Sequence, residues 1–273
     1  MSLKKASVKK KTSIKKTSTK KKKSRKKAFS SLSLLTLNVE AYEDGSRDEI
    51  KDRIHEIGAD VICVQEDVFK KSMKFRQKQE IISCQTGEKI DGKQNTWLAN
   101  SIYSFVPLVN AKTLDIQESS PVGRCAVMVQ VANGVTIANV HLSGGRFDDI
   151  HFRHLIHTKT MQLRTVVEKW HPDIICGDFN GEPNIRSLRT HPVFKTLSTT
   201  DKLLYAKYHT DGHHYLKKEG YVSVNMEKST SRFGGTPDHI YFNPNAVKLH
   251  QLSLVPFLDL SDHNGIWARF TVI

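Results

Sequence analysis

The stretch VMVQVANGVTIANVHL, Val127 to Leu142, limits the fold more than any other in the 273-residue chain. Two β-rich runs flank Asn133-Gly134, a dipeptide that readily supplies the left-handed residues of a tight hairpin turn. A hairpin here, with no GxGxxG after any strand, argues against a parallel dinucleotide-binding sheet. Ser33 to Asn38, Asp60 to Glu66, Asp173 to Asn180, Asp238 to Asn243, Val247 to Val255 and Gly265 to Val272 also read as strands. One helix opens at the capping box Ser46-Arg-Asp-Glu49, carries Ile50, Ile54 and Ile57 at helical spacing, and stops at Gly58. A second spans residues 150–170, with Leu155, Met161, Leu163, Val166, Val167 and Trp170 as its inner face, and ends at His171-Pro172. Residues 67–100 are polar without a clear pattern, and 183–235 read as loops with short helices. Hairpin strands interrupted by a few helices imply two packed sheets with helices outside.

Charge divides the chain in two. Residues 1–27 hold thirteen Lys and one Arg (Arg25) with no acid; of 42 basic residues that leaves 28, against 28 acidic. The body is formally neutral and the tail carries the net charge of +14. Residues 1–28 have little to bury and repel themselves, so disorder is expected, followed by one body from 31 to 273. Such a polycation binds nucleic acid by counterion release, or an anionic membrane surface, or serves as a nuclear address or a solubilising tail.

The apolar run after the tail, SLSLLTLNV, is short, is interrupted by Ser and Thr, and lacks a small-residue cleavage site, so no signal peptide is expected. No apolar run is long enough to span a bilayer. Cys63, Cys84, Cys125 and Cys176 form no CxxC pair. Separate thiols in a reducing compartment, nucleus or cytoplasm, are expected, with neither a disulfide framework nor a zinc site.

Apolar runs repeatedly end in side chains suited to metal or phosphate chemistry. LTLN ends at Asn38, VICVQE at Glu66, TIANVHL near His141, and IICGDFN at Asp178 and Asn180. TPDHIYF begins a strand at Asp238, and LSDHNGI places Asp262 and His263 before the last one. Each alone caps a turn as readily as it catalyses. Together they suit a site assembled from strand ends.

In order, LTLN, CVQE, NVHL, GDFN, TPDHIYF and LSDHNGI resemble the endonuclease/exonuclease/phosphatase superfamily of phosphoesterases, over Ser31 to Ile273. That resemblance implies an α/β fold, a four-layer α/β/β/α sandwich of two mainly antiparallel sheets with helices outside. Val68 after the QE pair, and His141 where apurinic endonucleases use Tyr, put the chain nearer the deoxyribonuclease I, sphingomyelinase, deadenylase and tyrosyl-DNA phosphodiesterase branches. TPDHIYF departs from the Arg-aromatic-Asp of the last of these.

By the same resemblance Glu66, Asn38 and Asp262 hold Mg²⁺ (or Mn²⁺), a choice the oxygen donors also favour. Asp178 activates water and Asn180 orients it or donates to the phosphate. Asp238 keeps His263 cationic, and His141 donates to the charge building on phosphorus oxygens. Arg146, in the GGRFDD loop, is a candidate phosphate contact or a loop salt bridge. His151, His154, His157 and the pair His213-His214 read as solvated or packed faces rather than zinc ligands. The resulting expectation is a monomeric, metal-dependent nuclease or phosphodiesterase whose tail and active site engage DNA or RNA. A lipid or inositol phosphate phosphoesterase, and a non-catalytic nucleic-acid-binding protein on this fold, are the alternatives.

Overall fold

The computed structural model describes residues 30–40, 47–68, 73–75, 77–89, 97–116, 124–144, 156–190, 192–224 and 226–273. In the first half lie β1 (Ser31–Asn38), α1 (Arg47–Ile57), β2 (Val61–Val68), β3 (Glu80–Lys89), β4 (Trp97–Ser104), β5 (Leu108–Asp115), β6 (Cys125–Val131) and β7 (Thr136–His141). The second half adds α2 (Thr158–Trp170), β8 (Ile174–Asp178), α3 (Ile185–Thr190), α4 (Pro192–Thr196), α5 (Thr199–Lys218), β9 (Val222–Ser223), β10 (Asp238–Phe242), β11 (Val247–Val255) and β12 (Gly265–Val272).

Two six-stranded sheets form, in the orders β11-β12-β1-β2-β4-β3 and β5-β6-β7-β8-β10-β9. Each is antiparallel except for one internal pair, β1 with β2 and β7 with β8. Those parallel pairs need crossovers, which α1 and α2 supply. The alternation of side chains along a strand then fixes the layers. Leu32, Leu34, Val61, Cys63, Ile174 and Cys176 face inward between the sheets. Their neighbours Leu35, Leu37, Ile62 and Val64 pack outward on Ile50 and Ile54 of α1. On the other outer face Val140, Ile175 and Tyr241 meet Leu163, Val166 and Val167 of α2 and Leu216 of α5. The layers are helix, sheet, sheet, helix, as the sequence implied.

The Asn133-Gly134 hairpin forms, with Gly134 at φ 96° and Val131 N donating to Val135 O at 3.0 Å. Two polar side chains set the register between the sheets. Gln65 Nε2 donates to Asn139 Oδ1 at 2.6 Å, and Asn139 Nδ2 donates across to Val64 O and Ser101 O, each at 2.9 Å. Buried amides bonded across the sheets in this way favour one alignment and penalise slippage.

Several expectations need correction. The second helix starts at Thr158 rather than 150, because residues 156–157 form a turn; residues 150–155 lie outside the described set, as do Ser46 and the tail. The 183–235 segment contains the 20-residue α5, whose buried side is Tyr205, Ala206, Tyr208, Thr210, Gly212, His213 and Leu216. That face is too polar to register as amphipathic. His213-His214 therefore sit inside a helix. Finally, Cys84 of β3 and Cys125 of β6 are joined by a disulfide that ties one sheet to the other, while Cys63 and Cys176 are buried thiols. The expectation of four separate thiols fails at that pair, and with it the inference of a reducing compartment from cysteine spacing. Among the described residues no helix is long and apolar enough to cross a membrane.

Candidate active site

A parallel pair places two carboxyl ends side by side, and the face-to-face sheets bring both pairs to one edge. Asn38 ends β1, Glu66 lies near the end of β2, His141 ends β7 and Asp178 ends β8, with His141 opposite Asp178 in register. β10 runs antiparallel to β8, so its first residue, Asp238, also pairs with Asp178. β12 runs antiparallel to β1, which sets Asp262 and His263, just before it, at the same edge. The structure thus gathers Asn38, Glu66, His141, Asp178, Asn180, Asp238, Asp262 and His263. Arg146 lies outside the described residues.

Local sequence aims these groups. Gly177, at φ 136°, lies so close to β7 that a Cβ there would fall 1.8 Å from Val140 O. Only glycine permits that approach. Phe179 is buried among Tyr241 and Leu163 and stacks on His213, ring centroids 5.6 Å apart. With the aromatic held in the core, Asp178 and Asn180 on either side of it face the site. Asn180 adopts φ 47°, and its backbone N donates to Asp178 Oδ1 at 2.7 Å while its Nδ2 donates to Leu142 O at 3.0 Å. Glu66, at φ 55°, sits in a β-bulge between Val64 and Asp67 that re-aims its carboxylate.

The polar contacts are short and specific. Asn38 Nδ2 donates to Glu66 Oε1 and to Asp178 Oδ2, both at 3.1 Å. Ser261 Oγ donates to Asn38 O at 2.9 Å and Asp262 N to Glu40 Oε2 at 2.9 Å, fixing Asp262 beside the end of β1. His263 Nδ1 lies 2.7 Å from Asp238 Oδ2, and its Nε2 lies 3.6 Å from Asp262 Oδ1. Burial alone would push the His263 pKa down, but Asp238, with Asp178 and Asp262, raises it to about 10. His263 is therefore an imidazolium at neutral pH.

His141 differs in charge. Burial, with Arg124 and His263 adding, holds its pKa well below 6.5, so the ring is neutral. Arg124 Nη1 lies 3.1 Å from His141 Nδ1. A guanidinium only donates, so Nδ1 accepts and the ring proton sits on Nε2. That Nε2 faces Asp178 Oδ2 at 3.6 Å and Glu66 Oε1 at 3.8 Å. Neither site histidine is a core ring spent on backbone.

The carboxylates crowd one another. Burial raises the Asp178 pKa, with Asp238 adding and His263 opposing, and burial likewise raises that of Asp262. Asp238 Oδ1 is buried without a hydrogen-bond partner. Asp178, Asp238 and His263 each bring a ligand atom within 4.8 Å of the others. A protonated His263 is a poor ligand, whereas the carboxylate and carboxamide oxygens of Glu66, Asn38 and Asp262, the set implied by the resemblance, are donors suited to a hard cation. Such a cation would relieve the excess negative charge, so the residue set fits one.

Arg124, Gln65 and Asn139 were not identifiable as site-supporting residues from sequence. The zinc alternative finds no support at His213, which is buried with Nδ1 2.8 Å from Tyr241 Oη, or at His157, an exposed ring 3.6 Å from Asp211. His151 and His154 lie outside the described residues.

Solved structures share this architecture. An endonuclease/exonuclease/phosphatase from Beutenbergia cavernae aligns with TM-score 0.64 and 16% identity, over 89% of this chain and 72% of its own. A 3′-5′ exonuclease from Neisseria meningitidis gives 0.61 and 16%, over 88% and 100%. The human Nocturnin catalytic domain, with bound sulfate, gives 0.59 and 17%, over 89% and 94%. No curated protein matches the chain by sequence. A family model matches residues 35–263, the span from the first strand to the last site histidine: the chain belongs to the Endonuclease/Exonuclease/phosphatase family.

Proposed function

We propose that this chain is a divalent-cation-dependent phosphodiester hydrolase acting on nucleic acid. The observation that carries this reading is the Asp238–His263 pair, a buried imidazolium held 2.7 Å from its carboxylate beside Asp178. Hydrolysis needs a proton acceptor for water and cationic or hydrogen-bonding groups for the phosphoryl oxygens. Asp178, braced by Asn38 and Asn180 and raised in pKa by burial, accepts the proton from water. His263 and the Nε2–H of His141 donate to the phosphoryl oxygens. Asn180 acts mainly by holding Asp178. A hard cation at Glu66, Asn38 and Asp262 would supply charge neutralisation at the phosphate and the leaving oxygen.

Nucleic acid is favoured over other phosphodiesters by the Lys-rich tail, which raises the local concentration of a polyanion. The fold neighbour from Neisseria is an exonuclease, and another is an AP endonuclease from Archaeoglobus fulgidus, so the scaffold accommodates such substrates.

The test is an activity panel on the full chain with plasmid DNA, an RNA oligonucleotide and a short-chain phospholipid. DNA or RNA should be cleaved, EDTA should abolish cleavage, and Mg²⁺ or Mn²⁺ should restore it. Deleting residues 1–28 should raise KM and flatten the salt dependence while sparing kcat. Turnover of lipid alone, or turnover that survives EDTA, overturns the reading.

A further inference from the structure

Lys159, the second residue of α2, is 2% exposed and enters none of the chemistry above. Its Nζ donates to the backbone carbonyl of Asn180 and sits 3.7 Å from the centre of the Tyr208 ring. One helical turn further along α2, Gln162 grips the loop that follows His141. Its Oε1 accepts from Ser143 N at 3.1 Å and its Nε2 donates to Ser143 Oγ at 2.9 Å. Residues three apart share a helix face, so one face of α2 holds both loops that leave β7 and β8. Tyr208 closes the arrangement from α5, its Oη donating to Ser143 O at 2.9 Å.

Asn180 needs such holding. Its φ of 47° lies in the left-handed region, which costs a residue with a side chain on the order of 1 kcal/mol. Its N–H is also the donor that orients Asp178 Oδ1, at 2.7 Å. If Asn180 relaxed to an ordinary conformation, that donor would turn away from Asp178. Holding it with an ammonium is costly: burial pushes the Lys159 pKa down to about 7, against the upward pull of Asp178 and Glu182. A methionine would fill the same space between Leu163, Gly212 and Tyr208 without that desolvation. What the amine adds is therefore the bond to Asn180 and a positive charge near Asp178.

We propose that Lys159 is a positioning residue that locks Asn180, and through it the Asp178 carboxylate, in the geometry used for hydrolysis. This rests on the assignment of Asp178 as the proton acceptor. It predicts a loss in kcat rather than in substrate binding, because Lys159 is buried behind the loop. Displacing a catalytic group by about 1 Å costs roughly 10²-fold, so Lys159→Met should lower kcat about 10- to 100-fold with KM within about twofold.

The experiment uses the full chain with bis(p-nitrophenyl) phosphate and Mg²⁺, and follows hydrogen–deuterium exchange across residues 178–181. Lys159→Met should show the kcat loss and faster exchange there. Lys159→Arg, which keeps a charged donor, should recover at least about tenfold of the loss. The proposal is overturned if Lys159→Met keeps kcat within about twofold of wild type, raises KM instead, or leaves exchange unchanged. It is also overturned if Lys159→Arg is no better than Lys159→Met. Should Lys159→Met fail to fold, Lys159→Leu, which likewise removes the donor to Asn180 O, decides by the same criteria. If the wild-type chain hydrolyses no phosphodiester, the functional reading fails, while the exchange data still decide whether Lys159 holds Asn180.

Discussion

Asp238→Asn separates the charge of His263 from its position. The substitution keeps the shape of the carboxylate but removes the largest influence raising the His263 pKa to about 10. Burial is then opposed only by Asp178 and Asp262, and the pKa falls towards its ordinary 6.5. A movement of that size corresponds to about 5 kcal/mol of preference for the charged form, an upper figure because Asp178 and Asp262 remain nearby. Near neutral pH the variant carries a largely uncharged His263. Loss of one charged donor to the transition state costs on the order of 10²–10³ in kcat.

The sign follows from linkage. A histidine whose folded pKa is raised contributes stability that is complete below 6.5 and is lost as pH rises through about 10. Wild type should therefore keep its activity up to that alkaline limit, and Asp238→Asn should lose it near neutrality. The assay is kcat on bis(p-nitrophenyl) phosphate across that pH range at saturating Mg²⁺, with the His263 ring titrated by NMR. A variant within about tenfold of wild type near neutral pH, or one whose alkaline limb stays near 10, refutes the reasoning. His263→Ala is a poorer probe. It strands the fully buried Asp238 carboxylate without its cation, at a cost of roughly 3–5 kcal/mol, and so mixes lost chemistry with lost stability.

Asp178→Asn should abolish hydrolysis with no loss of melting temperature near neutral pH. Burial raises the Asp178 pKa, so its ionised form withdraws stability as pH rises above 3.8; a fall of more than about 5 °C would show a structural role instead. Gly177→Ala should cost at least about 3 kcal/mol in urea unfolding, because its Cβ would fall 1.8 Å from Val140 O; a cost under about 1 kcal/mol contradicts the close approach of β7 and β8. Reducing Cys84–Cys125, 41 residues apart, should cost up to about 4 kcal/mol and lower the melting temperature by roughly 5–15 °C. Four alkylatable cysteines in the unreduced, denatured protein would refute the bridge.

Asn38, Glu66, His141 and Asp178 stand out in the sequence because each lies where an apolar run ends, and Asp238 and His263 because each stands just before or at the start of one. Phe179 shows why Asp178-Phe179-Asn180 reads so clearly: one side chain faces the core and its two neighbours do not. Other groups carry no such mark. Arg124 and Lys159 are basic residues in ordinary polar contexts, and their significance lies entirely in partners on other elements, His141 and Asn180. α5 was hidden because Tyr, Thr, Gly and His line its buried side, where an amphipathic pattern would need aliphatics. The bridge between Cys84 and Cys125 was hidden for a related reason. Spacing along one chain does not report that β3 and β6, in different sheets, lie against each other.

The convergence itself has a cause that no single strand contains. Antiparallel strands alternate direction, so neighbouring carboxyl ends fall on opposite edges of a sheet. A site built from several carboxyl ends therefore needs the exceptions, here β1 beside β2 and β7 beside β8. Each pair contributes two ends, and packing the sheets face to face brings all four together only if the sheets are aligned. Gln65 and Asn139 set that alignment, and they stand one residue before Glu66 and two before His141. Slippage that broke the 2.6 Å bond between them would bury unpaired amides and separate Glu66 from His141 in the same movement. The polar contact that keeps the two sheets in register is thus the one that assembles the site.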